Sequence, residues 1–314
     1  MSAIPAAARE ILRHGTLCYL AAPSPVGPHV TPVVFVLEGD RVWGTTGRRT
    51  TKARRWRERP VAGGLVRLGD RALTFRGPVT LYDALNPATW PVSVLRGPQL
   101  ALVSTLFTVK NARFFAGYAR DAYRVPLGWT PPGRVIFSVD LEDGGVLEDE
   151  RVSIRWGTWG SEVGGHEELR PDRGGLRPNH IPEDLRGLLE KSGEGTLGVD
   201  GARGPVVLPA RWARWGGAYD VVLPRPFLAL AAPDPHGPGA LVVDRASAWR
   251  AAKMRGLLLR GDGIVYVPDG PSTGGLRSRL AAAGEPPGDP ALLRLLPKTV
   301  VWWRGWSSGT VKRR

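Results

Sequence analysis

Cysteine is nearly absent: Cys18 stands alone in 314 residues. That excludes an intramolecular disulfide and leaves no thiol cluster for a metal. Set in an apolar run, Cys18 reads as a small buried hydrophobe. Histidine is also scarce, at five, and the five are scattered, which argues against a clustered metal site. No apolar run reaches the roughly 18 residues of a membrane-spanning helix. The first residues, MSAIPAAAREILRHG, lack a signal-peptide core and read as an opening helix with Pro5 near its start. From these absences we expect a cytoplasmic protein with no membrane partner. There is no nucleophile elbow, no H-E-x-x-H and no Walker loop, so no hydrolytic constellation stands out.

Positive charge is not scarce. Lys plus Arg total 43 against 29 Asp plus Glu, a net charge of +14. Lys occurs only at positions 52, 110, 191, 253, 298 and 312, so the excess is almost all Arg. These Arg residues are spread through a chain rich in Ala, Gly and Pro, and no nucleic-acid module is legible. Nucleic acid is therefore not the expected partner; an anionic small molecule is.

Between Gly15 and Tyr82 five short runs of β-formers are separated by Gly, Pro and Asp, the signature of an antiparallel meander or small barrel. They are Thr16 to Ala22, Val30 to Leu37, Arg41 to Thr46, Val61 to Leu68 and Ala72 to Tyr82. Between the third and fourth lies Gly47-Arg48-Arg49-Thr50-Thr51-Lys52, leading into a helix that Pro60 stops. Thr50 or Thr51 suits the N-cap. A helix N-terminus with hydroxyls and cations beside it is a phosphate cradle, although a solvated basic helix fits the same residues.

The order of these segments resembles the FMN-binding split barrel of the pyridoxamine 5'-phosphate oxidase-like superfamily. The residues that carry the likeness are Gly27-Pro28-His29-Val30-Thr31-Pro32-Val33-Val34-Phe35 and Trp43-Gly44-Thr45-Thr46, followed by Thr51-Lys52. Gly133 to Val139 is similar to the family's closing strand. The likeness covers the first quarter of the chain well and the rest loosely. It implies that Thr51 and Lys52 hold a cofactor phosphate, with Arg48, Arg49 and Thr50 nearby. Thr31, Pro32, Val33, Thr45 and Thr46 would line the ring. It implies FMN, with F420 or haem as alternatives, since branches of the superfamily bind each. His29 is the strand-borne candidate for a haem ligand in this half, with a packed structural histidine as the other reading. The implied function is hydride transfer to or from a small organic substrate. A non-catalytic flavin or haem binder of the same fold is the alternative, and no catalytic residue or metal is indicated.

After the fifth strand, 86 to 98 reads as irregular and 100 to 118 as one or two helices. In the latter Leu102, Leu106, Val109, Phe114 and Tyr118 are expected to face the core; a wall over a flat ring is the functional alternative for its aromatics. Trp129 to Gly133 reads as a turn, Arg134 to Leu141 as a sixth strand ended by Glu142 to Gly145, and Val152 to Trp156 as extended. Gly157 to His180 is the clearest linker, and His166 and His180 within it read as solvated.

Beyond the linker the first half recurs. Gly195-Thr196-Leu197 echoes Gly15-Thr16-Leu17, and Gly204-Pro205 to Pro209 echoes Gly27-Pro28 to Pro32. Tyr219 to Leu223 echoes the third strand, Leu241 to Arg245 echoes Leu65 to Arg71, and Arg255-Gly256 echoes Arg76-Gly77. The Thr-Thr-Lys start is replaced by Pro224-Arg225-Pro226, so the second copy lacks the cradle. Trp212 and Trp215 read as core or as a border of the one remaining site. In the tail, Pro271 to Gly275 reads as a loop, Leu276 to Ala283 as a helix, Leu292 to Leu296 as a helical turn, Lys298 to Trp306 as a closing strand and Lys312-Arg313-Arg314 as a loose basic end. The expected fold is mainly β with flanking helices: two split β-barrel domains, 1–156 and 181–314, joined by linker 157–180 into an intrachain pseudo-dimer. As a whole the chain would be monomeric or homodimeric.

Overall fold

A computed structural model of the chain describes residues 4–121, 123, 125–126, 133–166, 181–246, 250–268 and 274–312. The expectations for 129–132, His180, 271–273 and 313–314 lie outside the described residues. Helix α1 (Ala6–His14) leads into β1 (Cys18–Ala22), β2 (His29–Val33), β3 (Phe35–Glu38) and β4 (Arg41–Gly47). Helix α2 (Thr51–Glu58) follows, then β5 (Val61–Leu68) and β6 (Arg71–Tyr82). Three helices, α3 (Trp90–Leu95), α4 (Gly97–Lys110) and α5 (Ala112–Arg120), precede β7 (Arg134–Asp140), β8 (Asp143–Glu148) and β9 (Arg151–Trp156).

The second half runs α6 (Glu183–Arg186), β10 (Ser192–Gly201), β11 (Gly204–Trp215), β12 (Ala218–Pro224) and α7 (Arg225–Ala231). It continues with β13 (Pro238–Arg245), β14 (Arg255–Tyr266), α8 (Gly274–Ala282), β15 (Pro290–Arg304) and β16 (Ser307–Lys312). No single described helix is long and apolar enough to cross a membrane.

Both halves carry the same strand circuit. In the second, β12-β11-β10-β13-β14-β15 closes on itself through β12–β15 pairing, giving a six-stranded barrel. In the first, the order β2-β1-β5-β6-β7-β4-β3 runs from one piece of a broken strand to the other. β2 and β3 together correspond to β11, and β7 and β8 to β15. The single strand expected over Val30 to Leu37 is therefore two, and the expected stop at Glu142 to Gly145 is the corner into β8. Gly77 makes that corner: a Cβ there would lie 1.8 Å from the Asp140 carbonyl oxygen. Gly261 is its counterpart, with 2.0 Å to the Leu296 carbonyl oxygen and a bulge between Arg260 and Gly261.

The ladders fix the repeat residue by residue and correct part of the sequence alignment. Tyr19 pairs with Pro32 and Leu65, as Thr196 pairs with Pro209 and Val242. Tyr19, not Thr16, is thus equivalent to Thr196. Further along, Arg76-Gly77 is equivalent to Arg260-Gly261 and not to Arg255-Gly256. The helical turn expected at Leu292 to Leu296 is part of β15, because those residues alternate between two strand partners and the barrel core. The stretch 86 to 98 is not irregular; it holds a 3-10 turn at Pro87–Thr89, helix α3 and the start of α4.

The two barrels are packed by a pseudo-two-fold relation. β11 lies on β5 and β6, and its counterpart β2 lies on β13 and β14. At the closest approach a Cβ on Gly63 would sit 2.0 Å from the Pro205 carbonyl oxygen. Nearby the buried Thr74 hydroxyl donates to the Val207 carbonyl at 2.8 Å. Ala21, Val30, Leu65 and Leu147 of the first half share one apolar core with the second. Arg76, 4% exposed, is neutralised by Asp143 at 2.8 Å, and Arg203 of the second half reaches the same carboxylate at 3.0 Å. Removing one partner of a buried ion pair leaves an uncompensated charge, at a cost of about 3–5 kcal/mol. Asp143→Ala should lose about that much in chemical denaturation. Asp262→Ala, which removes a half-exposed partner of Lys298, should lose no more than about 1 kcal/mol.

Candidate functional site

The expected site residues come from three elements, and the fold gathers them. Thr31, Pro32 and Val33 lie on β2, Thr45 and Thr46 on β4, and Thr50, Thr51 and Lys52 at the start of α2. Thr50 is the N-cap: its Oγ1 accepts from the Ala53 amide at 3.4 Å and donates to the Gly47 carbonyl at 2.8 Å. It also lies 3.1 Å from the Thr46 hydroxyl, which ties the helix start to β4. Thr51 and Lys52 are then first-turn residues, whose amides have no partner within the helix. Lys52 turns inward, and its Nζ donates to the Thr31 carbonyl at 3.1 Å. Arg48 and Arg49 are not drawn in. Arg48 pairs with Asp83 at 2.9 Å, a carboxylate it shares with Arg57, and Arg49 is exposed.

Charge sets this place apart. Lys52 is 3% exposed, and burial pulls its pKa down to about 7, with Arg134 adding to the effect and Cys18 opposing it. Burial likewise holds Cys18 up at about 12, in keeping with an inert packed thiol. Arg134, on β7 opposite Gly47, donates to the Thr45 hydroxyl at 2.8 Å and to its carbonyl at 3.0 Å. Burial holds its guanidinium below the usual range. His29 is brought down to about 3 by burial, then by the charges of Arg260 and Lys52. Its Nδ1 has no hydrogen-bond partner among the described residues. His29 is thus held as a neutral ring, buried within reach of two cationic charges.

Arg260 comes from the other barrel. Its equivalent, Arg76, is neutralised by Asp143, but the residue opposite Arg260 is Thr299. Among the described residues Arg260 instead donates to the Ser24 hydroxyl, at 3.1 Å, and burial lowers its pKa to about 10, with Arg55 contributing. Neither Lys52 nor Arg260 has a carboxylate partner among the described residues. Each barrel thus buries a cation that has no carboxylate partner among the described residues, and the charges of both reach His29. An anionic group bound there would relieve the penalty.

The pseudo-symmetric position is a cleft of about 440 Å3, and it is built differently. Where the first site has Thr45, Thr46, Gly47 and Arg134, the second has Val222, Leu223, Pro224 and Pro290. Helix α7 begins without a side-chain cap and with Pro at its start. Across this cleft the first barrel contributes Glu148, Asp149 and Glu150. Their equivalents on the side of the first site are Arg304, Gly305 and Trp306. The second cleft is therefore acidic where the first is basic and aromatic, in keeping with a cradle kept in one copy only.

Sequence reasoning missed Arg134, Arg260 and Trp306 as site residues, while Tyr118 was expected in the core with a wall over a flat ring as its alternative. Tyr118 on α5 meets Trp306 edge-on at 5.1 Å, and Asp121 just beyond α5 pairs with Arg250 at 2.7 Å. These contacts tie the inserted helices of one barrel to the other beside the site. A signal existed only for Arg134, which opens the strand that resembles the family's closing strand. Trp212 is core, 2% exposed and 5.9 Å from Tyr219. Trp215 fits neither expectation: it is 44% exposed beneath Arg279, away from the site. His166 is not simply solvated, since its Nε2 lies 2.7 Å from that of His236.

No family model and no curated protein matches the chain. Among solved structures it is similar to a FAD-binding protein from Mesorhizobium loti, at 13% identity over 46% of this chain and 95% of that one, with a TM-score of 0.34. It is also similar to a pyridoxamine 5'-phosphate oxidase-related, FMN-binding protein from Nostoc punctiforme, at 18% identity over 47% and 87%, TM-score 0.33. An F420 reductase matches at 20% identity over 45% and 98%, TM-score 0.30. Likenesses this low decide nothing about the ligand of this chain.

Lys52 should make the ligand-free protein pH-sensitive. Its folded pKa of about 7 lies below the ordinary 10.5, so between those values the unfolded chain binds more protons. Stability should therefore rise with pH across that window and flatten above it. Lys52→Met should abolish the rise and leave the ligand-free protein more stable than wild type at pH about 6, by at least about 1 kcal/mol. Urea titrations along a pH series measure both.

Proposed function

We propose that the chain is an oxidoreductase that holds one FMN, or the related deazaflavin F420, between its two barrels. The observation that carries this reading is the buried Lys52 ammonium. It has a backbone carbonyl as its acceptor and stands at a capped helix start, and Arg260 of the other barrel likewise has no carboxylate partner among the described residues. A phosphate supplies the missing negative charge, and first-turn amides with the Thr51 hydroxyl supply donors. Thr31, Pro32, Val33, Thr45 and Thr46 would flank the ring, and Arg49 stands exposed beside them. Tyr118 and Trp306 offer aromatic surface at the same end and would exclude water there.

Either cofactor, when bound, supplies hydride transfer to or from a small organic substrate. The chain's own residues then bind, orient and shield, a division of labour that suits a site with no acid–base pair in evidence. A non-catalytic flavin carrier would use the same residues, and turnover of a reductant separates the two.

FMN titration, followed by quenching of flavin fluorescence, tests the binding half of the proposal. Lys52→Met, Thr51→Ala and Arg260→Met should each weaken FMN binding, Lys52→Met by at least about tenfold, as expected for losing a charge-assisted contact. Unchanged affinity in Lys52→Met and Arg260→Met would sink the assignment.

A further inference from the structure

The sequence expectation that Leu102, Leu106 and Val109 face the core is wrong, and the reason opens a second question. On α4 the buried side is Val103 and Phe107. Leu102, Leu106 and Val109, on the neighbouring outward face, are 51%, 36% and 70% exposed. Helix α3 continues the pattern with Trp90, Val94 and Leu95 at 52%, 79% and 83%. Monomeric soluble proteins seldom leave so many large apolar side chains together in water. The two helices are bent by 85° at their junction, so they do not form one straight span.

The polar groups on this surface are turned inward. Ser93, Ser104, Thr105 and Thr108 each donate to the carbonyl four residues back, at 2.8, 2.8, 3.1 and 2.8 Å. The Trp90 indole N–H donates to the Ala84 carbonyl at 3.0 Å. Hydroxyls satisfied by their own helix can enter an apolar medium at little cost.

Charge then selects the occupant. From Ala84 to Arg120 there is no Asp or Glu. Lys110 turns inward to the Leu12 carbonyl and the Phe35 ring, and Arg96 donates to Gln99, which donates to Glu38, so the exposed cations here are Arg113 and Arg120 on α5. A two-fold contact between copies would set this patch against itself and bring like charges together. An anionic lipid surface complements it, with apolar side chains in the acyl boundary and Arg113 and Arg120 at headgroup level.

We propose that α3 and α4 dock the protein on an anionic bilayer, lying in the interface without spanning it. This departs from the expectation of no membrane partner, which rested on the lack of a long apolar run. The proposal is independent of which cofactor the barrels hold.

The test is co-sedimentation of the full chain with vesicles of phosphatidylcholine alone and of equal parts phosphatidylcholine and phosphatidylglycerol. Wild type should bind the mixed vesicles and bind the neutral ones much more weakly, with added salt reducing the difference. A variant carrying Val94→Ser, Leu95→Asn, Leu102→Asn and Val109→Ser, all at exposed positions, should lose binding by at least about tenfold with its melting curve unchanged. Arg113→Gln with Arg120→Gln should keep the apolar face but weaken binding to the mixed vesicles, by about fivefold per cation removed. No binding of wild type to mixed vesicles would overturn the proposal. So would a lipid-free dimer, seen by sedimentation velocity, that the four-site variant dissolves, because the second copy would then be the occupant.

Discussion

Everything in this molecule depends on how closely two β-barrels approach one another. Gly63 on β5 and Pro205 on β11 bring the backbones to a separation that a methyl group would fill. Thr74 then reaches across to the Val207 carbonyl, and residues of both halves share one core. Burial of that shared apolar surface favours keeping the two halves together. It also fixes where ligands can sit, because two twisted barrels touching along their middle strands leave a cleft at either end of the contact.

The two clefts occupy equivalent positions and differ in charge. Near the first, Lys52 and Arg260 are buried without carboxylate partners among the described residues. Near the second, the residue equivalent to Arg134 is Pro290, and Glu148, Asp149 and Glu150 stand where the first has Arg304, Gly305 and Trp306. Arg76 and Arg260 show how little it takes. The same residue, at the same corner of the same strand, is neutralised in one repeat by Asp143 and left to a serine hydroxyl in the other. An uncompensated buried charge is a cost that persists where something else offsets it. In our reading that something is the cofactor's phosphate.

Much of the first barrel was legible because its strands are short, β-branched and set apart by turn residues, and because Thr50 is a good cap beside a helix-compatible run. The duplication was legible in outline, while its register was not: Thr196 matches Tyr19 through ladder pairing, which no local pattern reveals. The broken strands β2–β3 and β7–β8 were illegible for a related reason, since the breaks serve barrel closure and not local preference. Arg260 could not be found from sequence at all. Its meaning comes from the absence of an acid across the sheet, a long-range fact. The outward face of α4 misled because it is as apolar as the inward one, so spacing alone could not say which side met the core.

The most direct test of the central claim, one cofactor held between two unequal clefts, is native mass spectrometry of the intact chain purified from a host that makes both FMN and F420. We expect a single cofactor mass per chain, with an absorption spectrum that names it: two visible bands for FMN, one for the deazaflavin. Two cofactors per chain would contradict the asymmetry between the clefts. A colourless chain that takes up neither compound when it is supplied would contradict the cofactor site itself.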